Sequence, residues 1–429
     1  MDKIKVVWIT QFYKTEFTSI VPIKESLLER FFLRLTKRKS SINIDRFPWN
    51  FNMLREAEKY LDDIDLYVVC PYRRLAGKEY QVDVRGIHYI FVRDENSPSI
   101  KFYIQKVLSR WIKSAYKTNN RQISNIVNKL NPDVVHLIGA ENVNYSPSIL
   151  QVHDSIPVIA QMQTLLIDPS FPKNYPIDKK EYAYRSGWEK RVLQRANFIG
   201  CKSESFKNII KTLVDKDKAF LELELPEGVP ICKDSHVKKE YDFEYHAINI
   251  NKAADLAIEA FAIAHESHPN ITLDIIGGYS EDYRKSLEGR MAELGIINSV
   301  HFEGLLPTHD DVLVQMQRAR FSLLPLKIDF ISSTVREAMA YGNPLVSTIT
   351  PGTPVYNINR LSILLSPIGD HRALAENMCR LLDDDNFASQ LRDNAFISLE
   401  ELENHNAIIG EWIDAYRNIL KVKSNGGNI

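Results

Sequence analysis

The sequence predicts an α/β protein of two Rossmann-like, doubly wound parallel-sheet domains that face each other across a cleft. The chain has 429 residues, of which 44% are hydrophobic, enough for two cores of ordinary size. Short apolar runs alternate with longer amphipathic stretches, a rhythm typical of parallel sheets wrapped by helices. The rhythm occurs twice, on either side of a polar, turn-rich segment, so we expect two domains of the same class.

The first half of the chain carries the alternation from its first residues. We predict strands at 3–10, 66–70, 87–92, 133–138, 156–162 and 197–201. Helical periodicity covers 24–38, 101–117 and 182–195. The turn after the first strand reads Gln11-Phe12-Tyr13-Lys14 and contains no glycine. Because the dinucleotide fingerprint needs glycines in that turn, the sequence argues against a dehydrogenase.

The second half repeats the pattern. Strands are expected at 245–250, 271–276, 300–302, 321–324, 344–347 and 362–365, and helices at 253–265 and 373–382. Proline, glycine and lysine near 226–242 indicate a hinge. We therefore predict a first domain at 1–228 and a second at 229–398. The final segment, 399–429, carries a helix at about 399–421 that we expect to pack back on the first domain.

The bulk composition narrows the classes of function. The 54 basic and 55 acidic residues nearly cancel, so no global field favours a nucleic acid partner. The four cysteines are far apart, which argues against a zinc knuckle or thiol-redox pair and fits a reducing, cytoplasmic setting. The acidic strings at 63–65, 215–217 and 383–385 precede a strand or lie in polar turns, so we expect solvated surface and no metal. No run approaches the roughly 20 apolar residues that span a bilayer.

The segment from Asp329 to Glu337 is the leading candidate for a binding site. Ser332, Ser333 and Thr334 stand where a helix should begin, so free backbone N–H groups and the helix dipole favour a diphosphate there. Glu337, about one turn into the helix, can accept hydrogen bonds from ribose hydroxyls, and Asp329 can accept them from a sugar. The alternative is a helix capping box formed by Thr334 and Glu337, which needs no ligand.

Other residues of the second half supply the remaining parts of such a site. Lys252, at the start of a predicted helix, would bring positive charge to the phosphates as the leaving group departs. Gly278 and Gly304 allow the backbone to approach a flat base closely, and Leu305 offers its peptide group as a contact for that base.

Together these features resemble the family 4 glycosyltransferases. In that family a strand ending in proline leads to an acidic residue, and a glutamate follows eight positions later at the head of a helix that closes with Ala-x-Gly-x-Pro. Asp329 and Glu337 hold those two positions, and the helix closes with 340–344. The resemblance also covers Lys252, 275–278, 302–304, 369–370, Glu189 and the 196–203 segment. It implies a GT-B fold, an acceptor-binding first domain, retention of anomeric configuration and no required metal.

Several positions depart from the family pattern. His246 stands where an arginine is common, as a further contact for the donor phosphates, and Ala253 where a glycine normally follows the phosphate lysine. Gln163 occupies the position of a histidine near the transferred sugar, and it cannot carry a proton or a positive charge. Asp329 replaces the commoner glutamate, which shortens its reach by one methylene.

The resemblance implies a transferase that moves a sugar from a UDP- or GDP-sugar to a glycan or lipid-linked acceptor, as in surface polysaccharide or glycoconjugate synthesis. No cofactor beyond the nucleotide-sugar substrate is expected. Lys252, Asp329, Glu337 and Gln163 are the expected catalytic residues. Two alternatives remain open: a noncatalytic partner of another glycosyltransferase, and a nucleotide-sugar epimerase of the same fold.

A basic stretch at 101–121 suggests where the protein meets a membrane. It contains six lysines and arginines interleaved with aromatic residues and no acidic residue. Such a segment can lie on an anionic membrane surface, although an ordinary helix with a basic solvent face has the same composition. We expect a cytoplasmic protein with peripheral contact at the inner face of the membrane.

Overall fold

The computed structural model describes residues 3–24, 48–95, 116–174, 177–225, 230–234, 236–247, 253–327, 332–350, 352–402 and 405–424. The chain divides into two compact units, 1–227 together with 405–429, and 228–404. Most of the predicted helices at 24–38 and 101–117 lies outside the described residues, as do Lys252 and Asp329.

The first unit contains a sheet of eight described strands. They are β1 (Ile4–Ile9), β2 (Ile64–Tyr72), β3 (Glu79–Val84), β4 (Ile87–Arg93), β5 (Val134–Ile138), β6 (Val158–Gln161), β7 (Phe198–Gly200) and β8 (Ala219–Leu221). Their order is β3-β4-β2-β1-β5-β6-β7-β8, and of these neighbours β3 and β4 pair antiparallel while the others are parallel. All residues of β5 and β6 are buried, as expected for central parallel strands.

The second unit contains a parallel sheet of six described strands. They are β9 (Tyr241–His246), β10 (Leu273–Ile276), β11 (Val300–Gly304), β12 (Ala319–Leu324), β13 (Leu345–Thr348) and β14 (Leu364–Ser366). Their order is β11-β10-β9-β12-β13-β14, so the winding direction reverses between β9 and β12. Ligands of doubly wound sheets bind at the carboxyl ends of the strands at such a reversal.

Helices connect many of the described strands. In the described part of the chain they are α1 (Pro48–Ala57), α2 (Lys117–Leu130), α3 (Phe171–Asn174), α4 (Lys179–Arg195), α5 (Glu204–Leu213), α6 (Ala254–Ser267), α7 (Glu281–Glu293), α8 (His309–Met316), α9 (Ser333–Ala340), α10 (His371–Asp383), α11 (Asp385–Leu402) and α12 (His405–Ser424). Several begin at a polar cap, which satisfies N–H groups that the first turn leaves free. The caps are Asp178, Ser203, Ser280, Thr308, Ser332 and Asp370.

The helix α12 completes the core of the first unit. Its Trp412 and Tyr416 are fully buried against Trp8 of β1 and His136 of β5. The Tyr416 hydroxyl accepts the Trp8 indole N–H at 3.1 Å and lies 2.6 Å from Nδ1 of His136. Burial lowers the pKa of His136 to about 3, so its imidazole is neutral. The last helix of the chain is therefore built into the first sheet's core.

Some element boundaries differ from the sequence prediction. The strand expected at 245–250 lies at Tyr241–His246, because Glu244, which breaks the apolar pattern, is buried with polar partners. The strands β3 and β8 were not predicted; β3 alternates exposed and half-buried residues and so lacks a strong apolar signal. The helical segment expected at 399–421 is covered by the end of α11, which extends to Leu402, and by α12, which extends from His405 to Ser424, while residues 403–404 lie outside the described residues.

Candidate functional site

The candidate residues of the second half that the structure describes lie toward the reversal point of the second sheet. The adjacent strands β9 and β12 end at His246 and Leu324, and each leads toward the start of a helix, α6 and α9. The carboxyl ends of neighbouring parallel strands share one edge of the sheet. Lys252 and Asp329 lie outside the described residues, so their roles stay predictions.

The helix α9 begins where the sequence predicted it. Ser332 is its N-cap, and the Ser332 hydroxyl accepts the backbone N–H of Val335 at 3.4 Å. Ser333 and Thr334 open the first turn. The capping-box alternative for Thr334 and Glu337 is wrong, because Ser332 provides the cap and the Glu337 carboxylate is bound elsewhere.

The Glu337 carboxylate is held between two imidazoles. Its Oε1 lies 2.9 Å from Nε2 of His309, and its Oε2 lies 3.3 Å from Nε2 of His246. Glu337 is 5% exposed and His246 is 2% exposed, so this group of charges is almost entirely withdrawn from water. Burying an ion pair is costly unless its geometry is good, and two partners for one carboxylate meet that requirement.

The chain of polar contacts continues into the sheet. His246 directs Nδ1 to the Glu244 carboxylate at 2.8 Å, and Glu244 in turn contacts the hydroxyl of Ser322 on β12. Asn343 donates from Nδ2 to that same hydroxyl at 3.3 Å and to the Met316 carbonyl at 3.0 Å. Buried polar networks are stable when each member is satisfied, and this one fixes the orientation of the His246 ring.

The ionisable groups of this cluster shift one another's pKa values. Burial opposes the charged form of His246, but the carboxylates of Glu244 and Glu337 outweigh it and raise the pKa of His246 to about 10. Burial likewise works against ionised Glu337, yet His309 and His246 hold the pKa of that carboxyl well below its usual range. At neutral pH the cluster therefore pairs an imidazolium with anionic Glu337.

The predicted glycine turns also come together at this edge of the sheet. The N–H of Gly277 donates to the carbonyl of Gly304 at 2.8 Å, which joins the ends of β10 and β11. Gly304 has φ +84°, a backbone conformation that favours glycine, and nothing lies within 4 Å of where its Cβ would be. A Cβ on Gly278 would lie 3.2 Å from the Leu305 side chain, so Leu305 covers that turn.

The start of α6 is strained at one residue. Ala253 precedes the helix with φ 61° and ψ 52°, the left-handed region that costs an L-residue about 1–2 kcal/mol. Asp255, in the first turn, binds Lys327 Nζ at 2.9 and 3.2 Å. That ion pair ties the loop after β12 to the start of α6.

A second polar group lies at the corresponding edge of the first sheet, whose winding reverses between β1 and β5. Gly139, directly after β5, has φ +86°, and a Cβ there would lie 2.5 Å from Asn142, 2.8 Å from Tyr145 and 3.1 Å from the Gln163 amide oxygen. Among the described residues, Nε2 of Gln163 has no hydrogen-bond partner. Gln163 therefore belongs to a crowded polar group at the end of β5 and β6.

Two buried glutamates belong to the same unit. Glu189 accepts the N–H groups of Leu166 and Ile167 at 3.1 and 2.6 Å, and it orders the loop after β6. Glu141, 5% exposed, accepts from the Asn142 amide at 2.9 Å. Burial, the largest influence on both, raises the pKa of Glu141 to about 7 and that of Glu189 to about 8.

Sequence reasoning missed His309 and Glu244. His309 is the first residue of α8, whose start is fixed by a capping box between Thr308 and Asp311 with both hydrogen bonds at 3.1 Å. The Thr308-x-x-Asp311 pattern in the sequence indicates the start of that helix. Nothing in the sequence linked His309 to Glu337, which lies on a separate helix.

The membrane hypothesis rests on residues of which few are described. Of the 101–121 stretch, the structure describes 116–121, where α2 begins at Lys117. Among the described helices none has both the length and the apolar character needed to cross a bilayer.

The fold and the site together define a class of protein. The chain has the GT-B fold of two Rossmann-like domains, and it is similar over its whole length to solved structures of that class. Sucrose-phosphate synthase from Thermosynechococcus elongatus matches 98% of this chain and 100% of its own, with a TM-score of 0.67 and 15% identity. The Anabaena protein HepE, solved in complex with UDP and glucose, matches 96% of this chain and 99% of its own, with a TM-score of 0.61 and 13% identity.

The sequence of the second unit matches a known domain family. Residues 234–397 match the family described as "Glycosyl transferases group 1", so the second unit carries a domain of that type. O-antigen chain mannosyltransferase C of Escherichia coli is 26% identical over 137 residues, which is 32% of this chain. The matched part spans 37% of the length of that curated relative.

Proposed function

We propose that the protein is a family 4 glycosyltransferase that moves a sugar from a nucleoside-diphosphate donor to a glycan or lipid-linked acceptor with retention of anomeric configuration. The observation that carries the proposal is the buried, ionised Glu337, held by His309 and His246 one turn inside α9. An anionic acceptor of hydrogen bonds beside a helix N-terminus suits a ribose next to a diphosphate. The domain match and the UDP complex of HepE support this choice of donor.

The donor would bind along the edge formed by β9, β10, β11 and α9. The first N–H groups of α9 would bind the diphosphate, while Glu337 accepts hydrogen bonds from the ribose. The turns at Gly278 and Gly304, with the peptide group of Leu305, would border the base. Asp329 would contact the sugar, and Lys252 would stabilise the charge that develops on the leaving diphosphate.

His246 has a different part in this scheme from an arginine at the same position. Both of its ring nitrogens face carboxylates, Glu244 and Glu337, and it is 2% exposed. We propose that His246 orients the Glu337 carboxylate and keeps it ionised, and that His246 does not bind phosphate itself. Because it is cationic, it keeps a positive charge at the position where the family often has arginine.

The first unit would bind the acceptor at the edge that holds Gln163 and Glu141. The amide of Gln163 can donate to a sugar hydroxyl, and its Nε2 is without a partner among the described residues. An amide cannot relay a proton, so the acceptor proton would leave with the diphosphate. The basic stretch at 101–121 would bring this unit to an anionic membrane surface.

The division of roles between the two acids can be tested by calorimetric titration with free UDP and GDP. Glu337→Ala should weaken nucleotide binding by about tenfold or more, the usual cost of a hydrogen bond to a buried charge. Asp329→Ala should change it little, because free nucleotide has no sugar. A control, Glu288→Ala, removes an exposed carboxylate of the same unit that pairs with Arg284. Equal losses in both acidic variants would refute the assignment.

Transfer itself needs a separate measurement. Release of UDP or GDP from a panel of nucleotide sugars, with and without glycan and lipid-linked acceptors, should show turnover that Asp329→Ala abolishes. Nucleotide binding without turnover on any acceptor would support a noncatalytic partner instead. A changed sugar without acceptor would identify an epimerase.

A further inference from the structure

Three side chains with metal-binding atoms meet on the outer strands of the second sheet. Asp274 of β10 is in register with His301 of β11, so their side chains share one face of the sheet. Glu303 lies two residues further along β11, where the pairing with β10 shifts register, and its Oε2 lies 3.2 Å from Nε2 of His301. One ligand atom of each of the three residues lies within 4.8 Å of the others.

Asp274 is incompletely satisfied within this group. It is 0% exposed, and its Oδ2 accepts a hydrogen bond from Nε2 of Gln315 at 2.7 Å. Its Oδ1 is buried and accepts no hydrogen bond from any described residue. A buried carboxylate oxygen without a partner costs free energy, so this atom is a site where a ligand would be bound favourably.

The local charge is also unbalanced. Asp274 is in register on its other side with Glu244, so two carboxylates occupy neighbouring positions of the buried sheet. Glu303 adds a third and lies 3.2 Å from Nε2 of His301. The His301 and Glu303 side chains are 49% and 30% exposed, which leaves the group open to solvent on one side.

We propose that Asp274, His301 and Glu303 bind a divalent cation, Zn²⁺ in preference to Mg²⁺. One imidazole nitrogen and two carboxylate oxygens are ligands that Zn²⁺ accepts in tetrahedral geometry, with the fourth position left to water. Mg²⁺ is a hard cation that prefers oxygen ligands, so the imidazole nitrogen of His301 favours Zn²⁺ over it. The cation would satisfy Oδ1 of Asp274 and fasten the edge strand β11 to β10.

The site has no part in the reaction proposed above, and it departs from the sequence expectation of no metal. The acidic strings at 63–65, 215–217 and 383–385 contribute none of its ligands. The ligands come from two strands, Asp274 from β10 and both His301 and Glu303 from β11, at spacings that match no metal motif. Binding would restrain the end of β11, where Gly304 begins the turn to Leu305.

The test is titration of metal-free, untagged protein with ZnCl₂ and MgCl₂ in the absence of nucleotide. We expect one Zn²⁺ per chain, a raised melting temperature with Zn²⁺, and no comparable effect of Mg²⁺. His301→Ala and Glu303→Gln, both at exposed side chains, should each weaken Zn²⁺ binding by about tenfold or more. The control His268→Ala removes a histidine that faces a single carboxylate, Asp383, at 3.5 Å and should leave binding unchanged.

Asp274→Asn supplies an independent check on the buried ligand. If this variant retains the melting temperature of the metal-free parent, it should bind Zn²⁺ at least tenfold more weakly. If Asp274→Asn unfolds, Zn²⁺ binding by His301→Ala and Glu303→Gln tests the proposal. Absence of Zn²⁺ binding, or equal binding by the parent, His301→Ala and Glu303→Gln, would overturn the proposal without bearing on nucleotide binding.

Discussion

At the scale of single residues, the site depends on the contact between Glu337 and His309. The imidazole lies 2.9 Å from Oε1 of the carboxylate, and a capping box fixes the helix start from which it projects. His309 thus acts through Glu337 as a positioning residue, because its Nε2 is committed to the carboxylate. Its substitution should change nucleotide binding without any contact to the nucleotide being lost.

We expect His309→Ala to weaken UDP or GDP binding by about 10-fold to 100-fold, since a hydrogen bond to a charged group is worth about 1.5–3 kcal/mol. His309→Gln keeps a neutral donor and should recover part of the affinity. Titration calorimetry gives both values, with circular dichroism as the check on folding. If alanine and glutamine variants bind equally weakly while both remain folded, His309 does not position Glu337.

A second residue-scale prediction concerns Glu141 and pH. Burial raises its pKa from 4.5 to about 7, so between these pH values the unfolded chain ionises while the folded protein keeps the proton. The folded state therefore loses stability as pH rises from about 4.5 to about 7. Glu141→Gln avoids that loss and should be more stable than the parent by about 1–3 kcal/mol at pH 8, with a smaller difference at pH 5.

Urea unfolding at both pH values measures the effect. The control Glu79→Gln changes an exposed residue of the edge strand β3 and should leave the pH dependence unaltered. A constant difference between Glu141→Gln and the parent across this range would show that Glu141 does not titrate differently on folding.

Several local features of the candidate donor site could be predicted from residues that are close in sequence. The start of α9 and the candidate Glu337 followed from a run of helix-capping residues, and the turns at Gly278 and Gly304 from glycine at strand ends. The partners of Glu337 could not be predicted, because His246 and His309 approach it from other elements. Which contacts form across a sheet depends on register and packing, which local patterns do not encode.

At the scale of elements, the sequence predicted those strands whose residues are mostly apolar. Parallel strands such as β1 and β5 have mostly apolar sequences, interrupted by Lys5 in β1 and by His136 in β5. The edge strand β3 and the charged start of β9 lack that signal. Tertiary contacts decide these boundaries.

The start of α6 gives a prediction at this scale. Ala253 holds the left-handed conformation without a side-chain cap, at a position where glycine would be unstrained. Ala253→Gly should stabilise the second unit by about 1 kcal/mol, which corresponds to roughly 2–4 °C in melting temperature. The control Ala257→Gly, at a buried position inside the same helix, should destabilise by about 1 kcal/mol or more. Destabilisation by both would mean that Ala253 is not strained.

The contacts of α12 with the first sheet give a second prediction at the scale of elements. Tyr416→Phe removes the hydroxyl that accepts from Trp8 and contacts His136, and it leaves both buried groups without that partner. We expect a loss of about 1–3 kcal/mol in the stability of the first unit. Tyr80→Phe, on the edge strand β3, should have little effect. Chemical denaturation followed by tryptophan fluorescence reports the change, since Trp8 and Trp412 lie in this core. Equal stability of Tyr416→Phe and the parent would show that these contacts contribute nothing net.

At the scale of the whole molecule, the described residues form two separate hydrophobic cores, one in each unit. Proteins with more than one core need not unfold in a single step. We expect two calorimetric transitions, assigned by variants: Tyr416→Phe should lower one and Ala253→Gly should raise the other.

Nucleotide at about 100 times its dissociation constant adds about 2.7 kcal/mol to the unit that binds it, or roughly 5–10 °C in melting temperature. Because the proposed donor residues all belong to the second unit, UDP or GDP should raise the transition that Ala253→Gly raises, and Glu337→Ala should abolish that shift. A nucleotide shift confined to the transition that Tyr416→Phe lowers would assign nucleotide binding to the first unit and contradict the donor site.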